Sequence, residues 1–221
     1  AVDTGFVAHA QLYTRNEVLP VSTFDAAKCE RLYRRLARNR SWAVPTLVVH
    51  RAFASLGDSA FRADPRLADM PAAYRMFWGF SRSDPAYRAA YEQHLRTVGA
   101  MHRAGVPILA GTDVLNPYIF PGYSLHDELE LLARAGLSPL DALRTATLNP
   151  ARYLGRADSL GTVAAGKLAD LVLLDADPLA DVRNTRRIRA VVAGGRYLDR
   201  AALDRLVAEA REAGKAPPSW P

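Results

Sequence analysis

Apolar residues recur along the chain in two patterns, one with helical spacing and one of short continuous runs. Helical spacing predicts helices over residues 23–38, 84–104 and 124–135, because apolar side chains three and four positions apart share one helix face. Short apolar runs at 42–49 and 106–110 are typical of buried strands. Strands and helices that alternate in this way predict a parallel sheet with right-handed crossovers, and therefore an α/β fold.

Polar residues at the expected helix starts support these predictions. Asp84 is followed by a proline, which suits the first turn of a helix. Ser124 stands three residues before Asp127, a spacing similar to that of a capping box, and Ser138 begins a further helix in the same way. Leucines at 125, 129 and 132 are expected to face inward from the helix that Ser124 begins.

Two other regions have a different character. Residues 51–83 are interrupted by proline and glycine and form too long a connection for an ordinary loop, so we expect one or two short helices there. From residue 161 the pattern changes to short runs with glycine and Asp-Pro turns, and a terminal helix is expected over 203–213. The predicted short strands lie at 161–163, 168–174, 188–192 and 196–198, the last two joined by a hairpin turn at Gly194 and Gly195.

Composition narrows the classes of partner. The net charge is +6 and the pI about 9.7, but all but three of the 29 basic residues are arginines scattered along the chain. Since they form no basic run, we expect no nucleic-acid partner. No apolar run is long enough to cross a bilayer, so we expect no membrane partner. Cys29 is the single cysteine, which excludes an internal disulfide and is compatible with the cytoplasm, where we expect the protein.

One carboxylate stands where catalytic groups are common. Asp113 comes just past the end of the predicted strand 106–110. Chemistry in α/β barrels is concentrated at the carboxyl ends of parallel strands. The alternative is an aspartate that ends a strand and caps the next turn, and position alone leaves both interpretations open.

Four stretches together resemble a known family. They are residues 104–113, 125–136, 142–151 and 161–175. In this order they resemble the C-terminal half of the amidohydrolase superfamily, metal-dependent hydrolases on a (β/α)₈ barrel, and most closely its imidazolonepropionase-like and prolidase-like branch. The resemblance implies that residues 1–157 form the C-terminal part of a TIM-type barrel and residues 158–198 supply strands of a small accessory β-sandwich. A terminal helix and tail would occupy residues 199–221.

The resemblance also assigns functional residues. It implies a divalent metal, expected to be zinc, with Asp113 as metal ligand and proton shuttle and with His9 as a second metal ligand at the end of a strand over 2–9. His50 and Arg51 follow strand 42–49 and are candidates for binding the substrate; the alternative is that they line the barrel mouth without a fixed role. Histidines 94 and 102 are expected on the surface, and His126 in side-chain packing.

Several parts of the family pattern are absent from this sequence. The superfamily also uses a His-x-His pair, usually a metal-bridging lysine, and a further histidine, whereas no two of the five histidines here are two positions apart. One aspartate and one histidine cannot hold two metal ions. We therefore expect a fragment that is inactive alone, self-associates through an open sheet edge and takes the missing N-terminal half as partner.

Two kinds of function remain after these observations. The leading hypothesis is hydrolysis of an amide-type C–N bond in a small molecule, such as a cyclic amide or a dipeptide-like substrate. The alternative is a non-catalytic assembly fragment that completes a barrel with another chain. A basic binding module ranks last, because the arginines are dispersed.

Overall fold

The structure is a computed structural model, and it describes residues 21, 23–71, 74–75, 78 and 84–215. The helices are α1 (Ala26–Arg38), α2 (Leu47–Ser55), α3 (Ser59–Arg62), α4 (Ala86–Arg103), α5 (Ser124–Arg134), α6 (Pro139–Ala146), α7 (Leu148–Tyr153) and α8 (Arg200–Ala213). The strands are β1 (Leu171–Leu174), β2 (Ile188–Ala193) and β3 (Arg196–Leu198), and short 3₁₀ helices cover Pro65–Asp69 and Val182–Arg186.

The predicted helices form close to their expected positions, and most of the helix starts do as well. Asp84 accepts a hydrogen bond from the amide of Ala86 (2.8 Å) at the start of α4, and Ser138 caps α6 as expected. The predicted capping box at Ser124 does not form. Its hydroxyl instead accepts the amide of Phe120 (2.8 Å), which stabilises the turn before α5. Ser124 is itself the first residue of α5, so it does not occupy the capping position, which Tyr123 holds.

The main core lies between α2, α4 and α5. Apolar side chains from the three helices are buried there, among them Leu47, Val48, Tyr91, Leu95, Val98, Leu129, Leu131 and Leu132. Helices α4 and α5 approach closely at Gly99, where a Cβ atom would lie 2.2 Å from the carbonyl oxygen of Ala135. The inward position of Leu129 and Leu132 is confirmed, whereas Leu125 is exposed.

The strand predicted over 42–49 is wrong. Among the described residues, its extended pairing is limited to one parallel bridge between Ala43 and Ile108. Pro45 has no amide hydrogen to donate to a sheet. Thr46 then adopts a left-handed conformation (φ 45°), and α2 begins at Leu47. The β-branched residues that suggested a strand therefore serve as the buried face of a helix.

The run at 106–110 is extended but does not become a regular strand. On one side, the amide of Leu109 donates to the carbonyl of Ala43 (2.9 Å). On the other side, the amide of Ala110 donates to the carbonyl of Thr145 (3.0 Å), which belongs to helix α6. The bridge has the predicted parallel direction. Within the described residues, however, no second neighbour extends it into a barrel wall.

The β element near the C-terminus is an antiparallel sheet in the order β1-β2-β3. The hairpin at Gly194 and Gly195 is confirmed, and both residues have positive φ, as a tight turn requires. The strand predicted at 161–163 is wrong, because the chain bends at Gly161, which lies close to α7, and Val163 is exposed. Among the described residues, we find no helix with the length and apolarity needed to cross a membrane.

Candidate functional site

Asp113 lies in the loop that leads from the Ile108 bridge into α5. Its side chain is exposed and its backbone is left-handed (φ 47°). The backbone carbonyl of Asp113 accepts a hydrogen bond from the side-chain amide of Asn116 (3.0 Å), which stabilises the turn. Gly111 allows this loop to approach residue Val44, because a Cβ atom there would lie 2.4 Å from a valine methyl.

The predicted metal site has one candidate ligand among the described residues. His9 lies outside them, so its predicted role as a ligand stays a prediction. In the part of the chain that the structure describes, no three His, Cys, Asp or Glu side chains group closely enough to hold a metal ion. Asp113 and its described neighbours therefore do not form a metal site by themselves.

The predicted setting of His50 is wrong. His50 lies within helix α2, rather than after the end of a strand. Its ring stacks on that of His94 from α4, with ring centroids 3.9 Å apart and 23° between the planes. His94 is half-buried in this contact, so part of its ring is covered by the neighbouring helix. Because α2 packs on α4, each of these two rings is partly covered by the other helix.

Arg51 belongs to a cluster of charges centred on Asp127. The Asp127 carboxylate is buried and accepts hydrogen bonds from the guanidinium groups of Arg51 (2.8 Å), Arg66 (2.9 Å) and Arg186 (2.8 Å). Burial by itself raises the pKa of Asp127, but the bonds and charges of the three arginines outweigh it and hold that pKa below its ordinary value. Asp127 therefore joins α5 to α2 and to both 3₁₀ helices.

The next residue, Glu128, contacts the same helix in another way. Its two carboxylate oxygens accept the amides of Leu47 (3.1 Å) and Val48 (2.9 Å), the first two residues of α2. Glu128 has no exposed surface. Burial raises the pKa of Glu128 to about 7, although the two backbone bonds and the charge of Arg51 act in the opposite direction.

Asp127 and Glu128 were not predicted as buried polar residues. Their position in the helix carries a usable pattern, because Glu128 stands four residues before the inward-facing Leu132 and so shares its face. The predicted packing role of His126 agrees with the structure. This half-buried ring has its Nδ1 atom 3.0 Å from the hydroxyl oxygen of Thr185, and burial lowers the pKa of the imidazole.

A cavity of about 1110 Å³ opens beside the loop that carries Asp113. Val114 and Leu115 line it from that loop, and Leu203 and Val207 line it from α8. Arg66 and Arg186 of the Asp127 cluster reach the same cavity. The surroundings of Asp113 thus contain space for a small molecule with apolar walls and a few charged groups.

The sequence matches a family model over more than half of its length. The model is described as "Amidohydrolase family", and it covers residues 80–198. That range contains Asp113, the Asp127–Glu128 pair and the whole antiparallel sheet. The family suggested by the four sequence stretches is thereby confirmed.

Curated relatives and a solved structure agree with the match. An imidazolonepropionase from Aromatoleum aromaticum is 44% identical over 92 residues, which are 41% of this chain and 22% of the relative. An adenine deaminase 2 from Agrobacterium fabrum is 41% identical over 105 residues, 47% of this chain and 17% of the relative. A bottromycin amidohydrolase structure matches with a TM-score of 0.62 and 29% identity, over 81% of this chain and 42% of the other. The chain spans about a fifth of the length of the curated relatives.

Proposed function

This chain belongs to the amidohydrolase family, and we propose that it supplies Asp113 to the active site of a hydrolase that cleaves amide-type C–N bonds. The observation that carries the proposal is the family match, which includes Asp113 and the segments on both sides of it. The exposed position of the side chain in the loop before α5 supports the proposal, because a substrate can reach it.

We propose that Asp113 moves protons. A carboxylate can take a proton from the water that attacks a carbonyl carbon, and can return it to the nitrogen as the C–N bond breaks. The family implies a divalent metal, which would activate that water, and zinc is the metal that we propose. Since the described residues do not fit such an ion on their own, further ligands would come from His9 and from outside this chain.

The substrate is proposed to be a small cyclic amide or a dipeptide-like molecule. Arg51 is proposed to meet a carboxylate on it and His50 to line the same region. One guanidinium nitrogen of Arg51 already pairs with Asp127. The Arg51 side chain nevertheless keeps 24% of its surface exposed, which supports a role beyond that pair, because a substrate can reach the exposed part.

The decisive experiment substitutes Asp113→Asn in a polypeptide, or a mixture of two, that contains this chain together with a His-x-His segment. We expect turnover of a cyclic amide to fall by about 10²–10⁴-fold, the usual contribution of a positioned proton-transfer group. Asp158→Asn is the matched control, because Asp158 is also exposed and lies outside the loop. Retained activity in Asp113→Asn with an unchanged circular-dichroism spectrum would contradict the proposal.

A second candidate is a non-catalytic assembly component. The edge strand β1 favours it, because Val172 and Leu173 are exposed there and β1 pairs only with β2 among the described strands. Such an edge can pair with another chain. Metal analysis and gel filtration of the complex distinguish the two functions, since a complex without bound metal and without turnover favours assembly alone.

A further inference from the structure

The first turn of α2 is held by a residue that is distant in sequence. A helix begins with amide groups that have no partner within the helix, and a side chain of the preceding residue usually accepts one of them. Here the preceding residue, Thr46, has a left-handed backbone and makes no side-chain capping bond. The amides of Leu47 and Val48 donate instead to the two oxygens of Glu128, about 80 residues away.

Helix α2 is held at a second point, one turn later, through a side chain. Asp127, next to Glu128, accepts a hydrogen bond from the guanidinium of Arg51. Adjacent acidic residues of α5 thus hold the backbone of α2 at its first turn and a side chain of α2 one turn later. Helix α5 follows directly on the loop that contains Asp113, so these contacts connect that loop to α2.

The charged and titratable groups around Glu128 come from three helices. Arg51 of α2 lies near enough to favour the charged form of Glu128. The other titratable neighbours are Tyr91 of α4 and Asp127 of α5. Within the described residues its two hydrogen bonds are those to α2, and the side chain has no exposed surface. A buried carboxylate is unfavourable unless hydrogen bonds compensate for the lost water. Here the amides of α2 provide part of that compensation, and burial still raises the pKa of the carboxyl.

We propose that Glu128 is a positioning residue that fixes the first turn of α2, and through it the locations of His50 and Arg51 relative to the Asp113 loop. The part concerning His50 and Arg51 as substrate contacts rests on the proposed function. The part concerning the helix does not, because it follows from the two hydrogen bonds alone. Glutamine at this position would present one acceptor and one donor, and the donor would face an amide that also donates.

The test is amide hydrogen exchange of the 221-residue chain, for the wild type, Glu128→Gln and Glu130→Gln. We expect Glu128→Gln to speed exchange at Leu47 and Val48 by roughly tenfold or more, the effect of losing one buried hydrogen bond. Exchange in α8 should remain unchanged. Glu130→Gln is the matched control, since its carboxyl lies on the same helix, is part-exposed and pairs with Arg186.

If Glu128→Gln fails to fold, a pH series on the wild type tests whether Glu128 holds the first turn of α2. Burial raises the pKa of Glu128 in the folded chain, so its ionisation costs more free energy when the first turn of α2 is packed than when that turn opens and water reaches the carboxyl. After correction for intrinsic exchange, protection at Leu47 and Val48 should therefore fall as the pH rises to about 7 and level off above it. Protection that does not change with pH, or a variant whose amides exchange faster everywhere to the same degree, would overturn the proposal.

An activity measurement separates this proposal from the proposed function. In an assembly that turns over substrate, Glu128→Gln should raise KM more than it lowers kcat, because the substrate contacts move while Asp113 stays in place. An unchanged KM would overturn the positioning of His50 and Arg51. If the wild-type assembly shows no turnover at all, the proposed function fails, and the exchange experiment still decides whether Glu128 holds α2.

Discussion

A carboxyl group enclosed by protein, such as that of Glu128, loses the water that stabilises its charge. Its pKa rises from an ordinary value of 4.5 to about 7 in the folded chain. Between these two values, the folded state binds more protons than the unfolded state. Stability must therefore fall as the pH rises from about 4.5 to about 7 and level off above that range.

This gives a prediction for the pH dependence of stability. The free energy of unfolding of the wild type should fall by about 3 kcal/mol across this pH window, relative to Glu128→Gln, since each pKa unit corresponds to about 1.4 kcal/mol. Urea unfolding at pH 4.5, 6 and 8 measures the difference. Parallel pH profiles for the two proteins would show that Glu128 does not titrate in this way.

Asp127 gives a prediction with the opposite pH dependence. Asp127→Asn removes the charge that pairs with Arg51, Arg66 and Arg186, so the free energy of unfolding at pH 7 should fall by about 3 kcal/mol. Because the pKa of Asp127 is lowered in the folded chain, its contribution is present above pH 4 and lost as the pH falls below that value. Thermal unfolding checks this, with Asp158→Asn as a control expected to change stability by less than about 0.5 kcal/mol.

At the scale of elements, the contact between α4 and α5 depends on the absence of a side chain at Gly99. Alanine in a helix interior normally stabilises it by about 1 kcal/mol relative to glycine. Here the added Cβ would overlap the carbonyl oxygen of Ala135, a backbone atom that can move only with its helix. The free-energy cost of this steric overlap should therefore exceed the gain from the higher helix propensity of alanine.

We accordingly expect Gly99→Ala to lower the free energy of unfolding by about 1–3 kcal/mol, the usual range for overpacking. Chemical denaturation is the measurement. Gly214→Ala is the control, because its φ of −69° suits alanine and its Cβ would meet neighbours at 3.4 Å, an ordinary contact distance. A stabilised Gly99→Ala protein would mean that the two helices lie further apart than in the structure.

The segment 42–55 shows how an element can be misread from its residues. An apolar β-branched run forms a strand only when a neighbouring strand accepts its backbone hydrogen bonds. Ala43 finds such a neighbour at Ile108 for a single bridge. Beyond Pro45 and Thr46, the carboxylate of Glu128 accepts the amides of Leu47 and Val48, and α2 begins there.

At the scale of the whole molecule, the exposed edge at β1 predicts self-association. We expect the isolated chain to elute from gel filtration as an oligomer, and Val172→Lys to shift it toward the monomer, because a charge on an edge strand opposes pairing. Val163→Lys is the control, since Val163 is 85% exposed and lies outside the sheet. A wild-type chain that elutes as a monomer would contradict the prediction.

The isolated chain should also be inactive. With zinc added, we expect no hydrolysis of cyclic amides or dipeptides above background, because Asp113 has no group of further ligands around it among the described residues. A spectrophotometric hydrolase assay with stoichiometric zinc is the measurement. Zinc-dependent turnover that Asp113→Asn abolishes would mean that the 221 residues contain a complete site.

Local features of this sequence were sufficient to predict the family, the long helices and the C-terminal hairpin. Periodic apolar positions, capping residues such as Ser138 and the glycines at 194 and 195 act over a few neighbouring residues, so their effect can be read along the chain. The candidate role of Asp113 came from a pattern of the same kind, and it stays a prediction.

Only the tertiary structure decided where α2 begins and which acidic residues are buried. The bonds of Glu128 to Leu47 and Val48 join residues about 80 positions apart, and the bond of Asp127 to Arg51 joins residues 76 apart. No local pattern specifies such pairs, because they form only once α5 packs against α2. Burial then changes the pKa of each carboxyl group, since that value depends on the solvent and charges that folding leaves around it.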